Sequence, residues 1–273
     1  MTATLPEHAT AGYATVSPVA QALLLARRSV VGTMRQPQMW MPSMVFPLMI
    51  AAVNSSAMSR SIGLPGFPEV DSFLVFLLPA TIVQGVMFGA VAGGTDIALD
   101  IENGFFDRLV ASPVSRISIL IGRLSGAAVL GAVQAVIFMA LFWPFGARVA
   151  GGPAAALVLV VLAMVLAIGI GGITAAMGLR TGSQEAVQNS FPVVFILLFV
   201  SSAFFPTGLM GGWYRTVAEA NPLSWMIDGA RHQVIIGFDA SEAAAAIGIA
   251  GGFAVLTIAF AVTQLRRRLA VSS

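Results

Sequence analysis

The sequence predicts an all-α polytopic membrane protein: six transmembrane helices, an N-terminal amphipathic helix at the membrane surface, and a charged cytoplasmic elbow between spans two and three. Three observations predict it. Hydrophobic residues make up 58% of the chain and charged residues only 10%, against roughly 25% charged in soluble domains. The mean hydropathy is +0.90, more apolar side chain than a soluble fold could hide. The apolar residues also fall in runs of about 20, the length that crosses a ~30 Å hydrocarbon layer as a helix.

The elements follow in order. Residues 1–18 are polar, carry Pro6, Glu7 and Pro18, and lack the apolar core of a signal peptide; they read as a disordered cytoplasmic tail. Residues 19–268 form one membrane domain. It begins with an amphipathic surface helix over 19–36, where Leu23, Leu24, Val30 and Val31 oppose Arg27, Arg28 and Arg35. Pro37 breaks it. The first span covers about 39–59, with Trp40 as an interfacial anchor and Pro42 and Pro47 as kink points. A Pro/Gly turn follows, then a second span over about 73–94 that ends in small residues suited to close helix packing. The third span, about 119–143, carries Gly122, Gly126 and Gly131; the fourth, about 154–178, is rich in alanine and valine. The fifth covers about 189–210 and is rich in phenylalanine. Residues 211–241 are semi-polar, with Trp213, Tyr214 and Trp225 as interfacial aromatics. The sixth span, about 243–264, stops at Arg266–Arg267–Arg268, and 269–273 form a C-terminal tail.

Six spans put both termini on one side, and arginine placement selects the side. Termini inside gives the cytoplasmic face ten arginines (27, 28, 35, 108, 116, 123, 180, 266, 267 and 268) and the outer face four (60, 148, 215 and 231). The positive-inside rule then places both termini and the elbow in the cytoplasm of a bacterial plasma membrane.

Composition removes several classes of chemistry. There is no cysteine, so no disulfide framework and no thiolate metal site. His8 and His232 are far apart, and no His-Glu-x-x-His or Gly-x-Ser-x-Gly pattern occurs. A Walker glycine loop is absent, so any ATPase is a separate chain. All fourteen basic residues are arginine, with no basic stripe for nucleic acid. The spans hold no acid at mid-depth, which counts against an ion-coupled carrier. Their deepest polar residues are Asn54, Gln84 and Gln134; these serve either helix–helix hydrogen bonding or contact with a cargo.

The elbow, residues 95–123, is the charged exception in this greasy chain. Asp100 and Glu102 suit a helix start, and Gly104 permits a tight turn. Phe105, Phe106, Leu109 and Val110 form an apolar ridge for a partner groove. Arg108 can pair with a partner carboxylate. Ser112 before Pro113 ends the helix, and Arg116 and Arg123 re-enter at headgroup level. The order Glu102-x-Gly104, Arg108-Leu109, Ser112-Pro113-Val114-Ser115-Arg116 and Gly122-Arg123 resembles the ABC transporter permeases of the type-2 family, close to the daunorubicin-resistance transmembrane proteins. Asn221-Pro222 before Leu223 agrees, and the likeness runs over roughly 20–268; Phe105-Phe106 departs from the smaller or more polar residues common there.

The resemblance implies that the elbow contains a short coupling helix docking on an ATPase. Asp100, Glu102, Gly104, Phe105, Phe106, Arg108, Leu109, Pro113 and Arg116 are its candidate residues. It implies two ATPase copies holding ATP and Mg, with no cofactor on this chain, which is itself no enzyme. It also implies a second permease half, identical or homologous, and outward export through the interface between halves. Asn54, Gln84, Phe88, Phe191, Phe195 and Phe199 are candidates for a path taken by an apolar or amphipathic cargo, such as a drug-like natural product or a lipid; core packing accounts for the same rings. The alternatives are a polysaccharide or glycolipid exporter, an ion-coupled carrier and a non-transport scaffold.

Overall fold

The computed structural model describes residues 17–112 and 115–271, so most of the expected N-terminal tail, together with Pro113, lies outside the described residues. Ser17 and Pro18 belong to the first helix instead. The Ser17 Oγ accepts from the amide of Ala20 at 3.3 Å, and Pro18 takes the first helical position, where its missing N–H costs nothing.

Eleven α-helices follow in the described chain: α1 (Pro18–Met34), α2 (Pro37–Ala57), α3 (Phe73–Glu102), α4 (Phe105–Ala111), α5 (Arg116–Phe142), α6 (Gly152–Thr181), α7 (Gln184–Gln188), α8 (Phe191–Phe199), α9 (Gly212–Ala220), α10 (Pro222–Ile235) and α11 (Ala240–Val271). Four of them, α3, α5, α6 and α11, are long and apolar enough to cross a bilayer. The protein is therefore an all-α, multi-pass membrane protein. α2 has the length, but Pro42, Pro47 and its polar end keep it out of that set.

Three expected boundaries move. The sixth span does not stop at the arginine triplet: α11 continues as helix through Arg266, Arg267 and Arg268 to Val271, into the expected C-terminal tail. α3 runs unbroken through the charged residues 95–102 and spans 30 residues, about 45 Å at 1.5 Å per residue. It therefore outruns a ~30 Å hydrocarbon core and carries the first third of the elbow as helix. The fifth apolar run, 189–210, is not one helix. α8 stops at Phe199, and the chain proceeds through turns to Pro206 and a short 3-10 turn at Thr207–Leu209. Side chains, most of them from elsewhere in the chain, satisfy most of the released carbonyls, as described below.

α6 is the hub: α3, α5 and α11 all pack along it. Small residues permit this. A Cβ on Gly131 of α5 would fall 2.9 Å from the Ala163 carbonyl of α6. One on Gly172 of α6 would fall 2.7 Å from Thr257 Oγ1 of α11. Backbones can approach this closely only where there is no side chain between them. The core falls in two clusters. A large one gathers Phe73, Phe76, Leu77, Met87, Phe138, Leu166, Met226 and Ile227. A smaller one gathers Ile97, Phe106, Ile119, Leu120, Leu124, Leu179 and Leu265 at the opposite end. The chain connects these ends repeatedly: α6 and α11 finish beside the small cluster, where Arg268 donates to the Leu179 carbonyl, whereas α10 meets the start of α3.

Gly131→Leu should push α5 off α6 and destabilise the fold by about 1–3 kcal/mol or more, the usual cost of overpacking. Gly248→Ala, which meets nothing within 4 Å, should leave stability unchanged or higher. Thermal melts of the two purified variants in one detergent check both outcomes.

Candidate functional site

The elbow is built as a wedge clamped between four helices. At the end of α3, Asp100 pairs with Arg123 of α5, and the same guanidinium lies 3.7 Å from Asp96. Glu102 turns away and accepts from the backbone amide of Gln184, at the start of α7, at 2.8 Å. Asp100 and Glu102 thus stand at the C-terminal end of α3, not at the start of the next helix. Their negative charge is balanced by an arginine and by a neighbouring helix's amide, not by the N-terminus of α4. Gly104 makes the turn, with φ 67° and ψ 9°, a left-handed conformation that costs a residue with a Cβ about 1–2 kcal/mol.

α4 then lies across the bundle end. Phe106 is buried within the small core. Phe105 lies under the Arg28 guanidinium of α1, 4.6 Å from ring centroid to charge, a cation–π contact. The sequence offers both rings to a partner; neither is free, because each finds apolar or cationic surface within its own chain. Leu109 and Val110 pack on the same core. The outward face of α4 is Asp107, Arg108 and Ala111. Ser112 ends the helix with an extended backbone (ψ 158°), as a residue before proline should, and its hydroxyl donates to the Leu109 carbonyl at 2.6 Å. Arg116 opens α5.

α1 completes the clamp. Its Gln21 side chain accepts from the Ser115 amide at 2.9 Å. A Cβ on Gly122 would fall 2.5 Å from that of Leu25, so α1 lies directly on α5. Helices α1, α3, α4 and α5 therefore pack together around the ion pair of Asp100 and Arg123.

The second candidate set divides. Phe88 of α3 meets Phe191 of α8 at 4.8 Å between centroids, Phe195 lies 5.9 Å from Phe88, and Phe199 follows at 4.6 Å. Phe46 of α2 and Phe204 extend this ladder at either side. Gln84 lies one turn before Phe88 and is buried, with no partner for its Nε2 among the described residues. Gln134 is structural: its Nε2 donates to Ser43 Oγ at 2.8 Å and to the Gly85 carbonyl at 3.1 Å, tying α5 to α2 and α3. Asn54 stands about two turns beyond Phe46 on α2 and makes no part of the ladder.

An ion pair that the sequence reading misses lies at the other end. Arg231 sits with the outer-face arginines by sequence, yet only 6% of it is exposed. Its guanidinium bonds Asp228 at 2.5 Å and lies 3.8 Å over the Phe76 ring. It also donates to the carbonyls of Phe76, Ser202 and Ala203. Asp228 in turn accepts from Ser202 Oγ at 2.8 Å. The signal was available: Asp and Arg three apart share a helix face, and here Ile227, Ala230 and Val234 flank them. At the start of α11, Asp239 caps the helix. Hydrogen bonds from the Ser241 hydroxyl and the amides of Glu242 and Ser241 hold its carboxyl below the usual range. Among the described residues no group of three or more His, Cys, Asp or Glu could hold a metal.

The elbow and the ladder both lie within the part of the chain that resembles known proteins. The profile of the ABC-2 type transporter family matches residues 20–235. The daunorubicin resistance ABC transporter permease of Streptomyces coeruleorubidus is 28% identical over 222 residues, covering 80% of this chain and 74% of that protein. The linearmycin resistance permease of Bacillus subtilis is 31% identical over 167 residues, covering 60% of this chain and 42% of that one.

Arg231→Met should leave two buried non-helical carbonyls without their side-chain donor, while Asp228, 44% exposed, keeps Ser202 Oγ; unsatisfied buried acceptors cost about 1–3 kcal/mol each. Hydrogen exchange should rise locally over 200–206 and 222–235 before it rises elsewhere; uniform protection across the variant would contradict this role. Asp228→Asn keeps a polar partner and should cost less.

Proposed function

The chain belongs to the ABC-2 type transporter family, and from this premise we propose that it is the membrane-spanning permease subunit of an ATP-driven exporter that moves a hydrophobic or amphipathic compound outward. The observation that carries the reading is α4: a short helix rooted by Phe106 in the core, presenting Asp107, Arg108 and Ala111 to the outside, inside the family match. In this reading α4 is the coupling helix and α1 lies at the membrane surface. Both termini face the cytoplasm of a bacterial plasma membrane. The chain crosses six times, through α2, α3, α5, α6, the broken run of α7 and α8, and α11.

Two ATPase copies, which hold ATP and Mg, bind below two such permease halves. ATP-driven closure of the ATPase pair pushes on α4. Because Asp100 and Arg123 tie α3 to α5, Phe105 and Arg28 tie α4 to α1, and Phe106 roots α4 in the core that α3 and α5 share, the push moves these helices as one body instead of bending the elbow. Two distant sites are then coupled through a two-state rearrangement of the halves. The resistance named for the daunorubicin and linearmycin relatives supports a drug-like cargo. The ladder Phe88, Phe191, Phe195 and Phe199 offers it an apolar wall, part of it exposed, along with Val193 and Ile196.

The test is co-purification with the ATPase subunit. Asp107→Arg combined with Arg108→Glu inverts the exposed charges without touching the core, and it should lower ATPase retention and cargo-stimulated ATP hydrolysis at least ~10-fold, since charge reversal at a contact costs on the order of several kcal/mol. Unchanged binding and hydrolysis would sink the coupling role. Phe195→Ala should change drug resistance in cells while leaving ATPase binding intact; resistance equal to wild type for every compound that the wild type exports would remove the ladder from the path.

A further inference from the structure

Between α4 and the ends of α6 and α11 lies an open cleft of about 840 Å3. Phe106 and Leu179 form its apolar floor, and Arg180, Arg267 and Arg268 line it, against a single carboxylate, Asp107. Arg268 is held to the cleft wall by its bond to the Leu179 carbonyl, 3.1 Å. Arg180 and Arg267 are exposed, and among the described residues neither makes an ion pair. The cleft is thus a cationic mouth over apolar surface.

What leads into it identifies the occupant. α11 is the least covered of the four long helices. It exposes Leu256 by 73% and Phe260 by 43%. In helical register both stand on the face that carries Arg267. From Leu256 to Arg267 the helix rises about 16 Å, close to the ~15 Å depth of one leaflet of hydrocarbon. The apolar pair Leu256 and Phe260 therefore leads, past the exposed Thr263, to a guanidinium cluster one leaflet's depth from Leu256. A soluble partner could reach the arginines but not the apolar pair, and a free anion would gain nothing from it.

We infer that this cleft binds the headgroup phosphate of an anionic phospholipid, with an acyl chain laid along Leu256 and Phe260 of α11. Basic pockets between membrane helices take such headgroups by charge-assisted hydrogen bonding. The site rests on α11 crossing the bilayer and not on the ATPase, so its test uses the permease alone. Delipidated permease in neutral detergent receives dioleoylphosphatidylglycerol or dioleoylphosphatidylcholine, and bound lipid is counted by native mass spectrometry.

Wild type should hold the anionic lipid at least ~10-fold more tightly than the zwitterionic one. Arg180→Gln with Arg267→Gln should weaken the anionic lipid about 30-fold, from about fivefold per arginine near an anionic surface, and leave the zwitterionic lipid unchanged. The Arg180→Lys, Arg267→Lys pair should retain most of the preference. Ala111→Glu, at an exposed position on the cleft rim, should reduce it without removing any arginine. Equal anionic-lipid binding by wild type, the glutamine pair and Ala111→Glu would overturn the site. So would competition by millimolar glycerol 3-phosphate as effective as by the lipid, which would mark a free-anion site. Loss of the lipid when the ATPase binds would assign the cleft to that protein and overturn the proposal equally.

Discussion

Seven residues after the start of α8, the helical ladder of hydrogen bonds begins to fail, and the rest of that end of the bundle is arranged to make good the loss. In an apolar surrounding a released backbone carbonyl must find a donor inside the protein. Six between Leu197 and Ala203 do so through a side chain. Asn221 Nδ2 takes Leu197 and Val200, Ser201 takes Leu198, Tyr214 takes Phe199, and Arg231 takes Ser202 and Ala203. Those donors come from α9, α10 and the turn itself, so the break in α8 fixes where α9 and α10 lie. Arg231 is the costliest of them to bury, and Asp228, the Phe76 ring and three carbonyls together offset that cost.

The opposite end solves a different problem. The elbow carries charge and apolar rings within a few residues, and the chain absorbs most of both. Asp100 is spent on Arg123 and Glu102 on the start of α7; Phe106 goes into the core and Phe105 under Arg28. What remains outward is a small polar face on a helix whose rings are packed against α1, α3 and α5. That combination of stiff mounting and modest contact surface suits the transmission of a push, and it relocates the proposed contact from the phenylalanines to Asp107 and Arg108.

Much of this was legible in the residues. Composition and run length gave the membrane class, and α3, α5, α6 and α11 lie close to the runs that predict them. The Gly104 turn and the stop at Ser112 follow from local rules of backbone conformation. The aromatic ladder was legible only as a list of phenylalanines; that Phe88 of α3 joins Phe191, Phe195 and Phe199 of α8 is a fact of packing. The break at Phe199 escaped because hydropathy is blind to it: residues 200–210 remain apolar enough to continue a span, and apart from the Ser201 hydroxyl the side-chain donors that make the turn tolerable lie more than ten residues away.

The sequence by itself determined that the chain lives in a membrane, where its long helices fall, and that its one charged elbow turns at Gly104. These are consequences of solvent transfer and of short-range backbone sterics, which act within a few residues. Tertiary structure alone decided which of the elbow's side chains face inward, that Arg231 is a buried strut and not a surface charge, and that the fifth apolar run bends. Each of those outcomes depends on a partner distant in the chain: Arg123 for Asp100, Arg28 for Phe105, Phe76 for Arg231. The free energy of a buried charge or an open carbonyl is set by what the fold places beside it, and no local pattern encodes that neighbour.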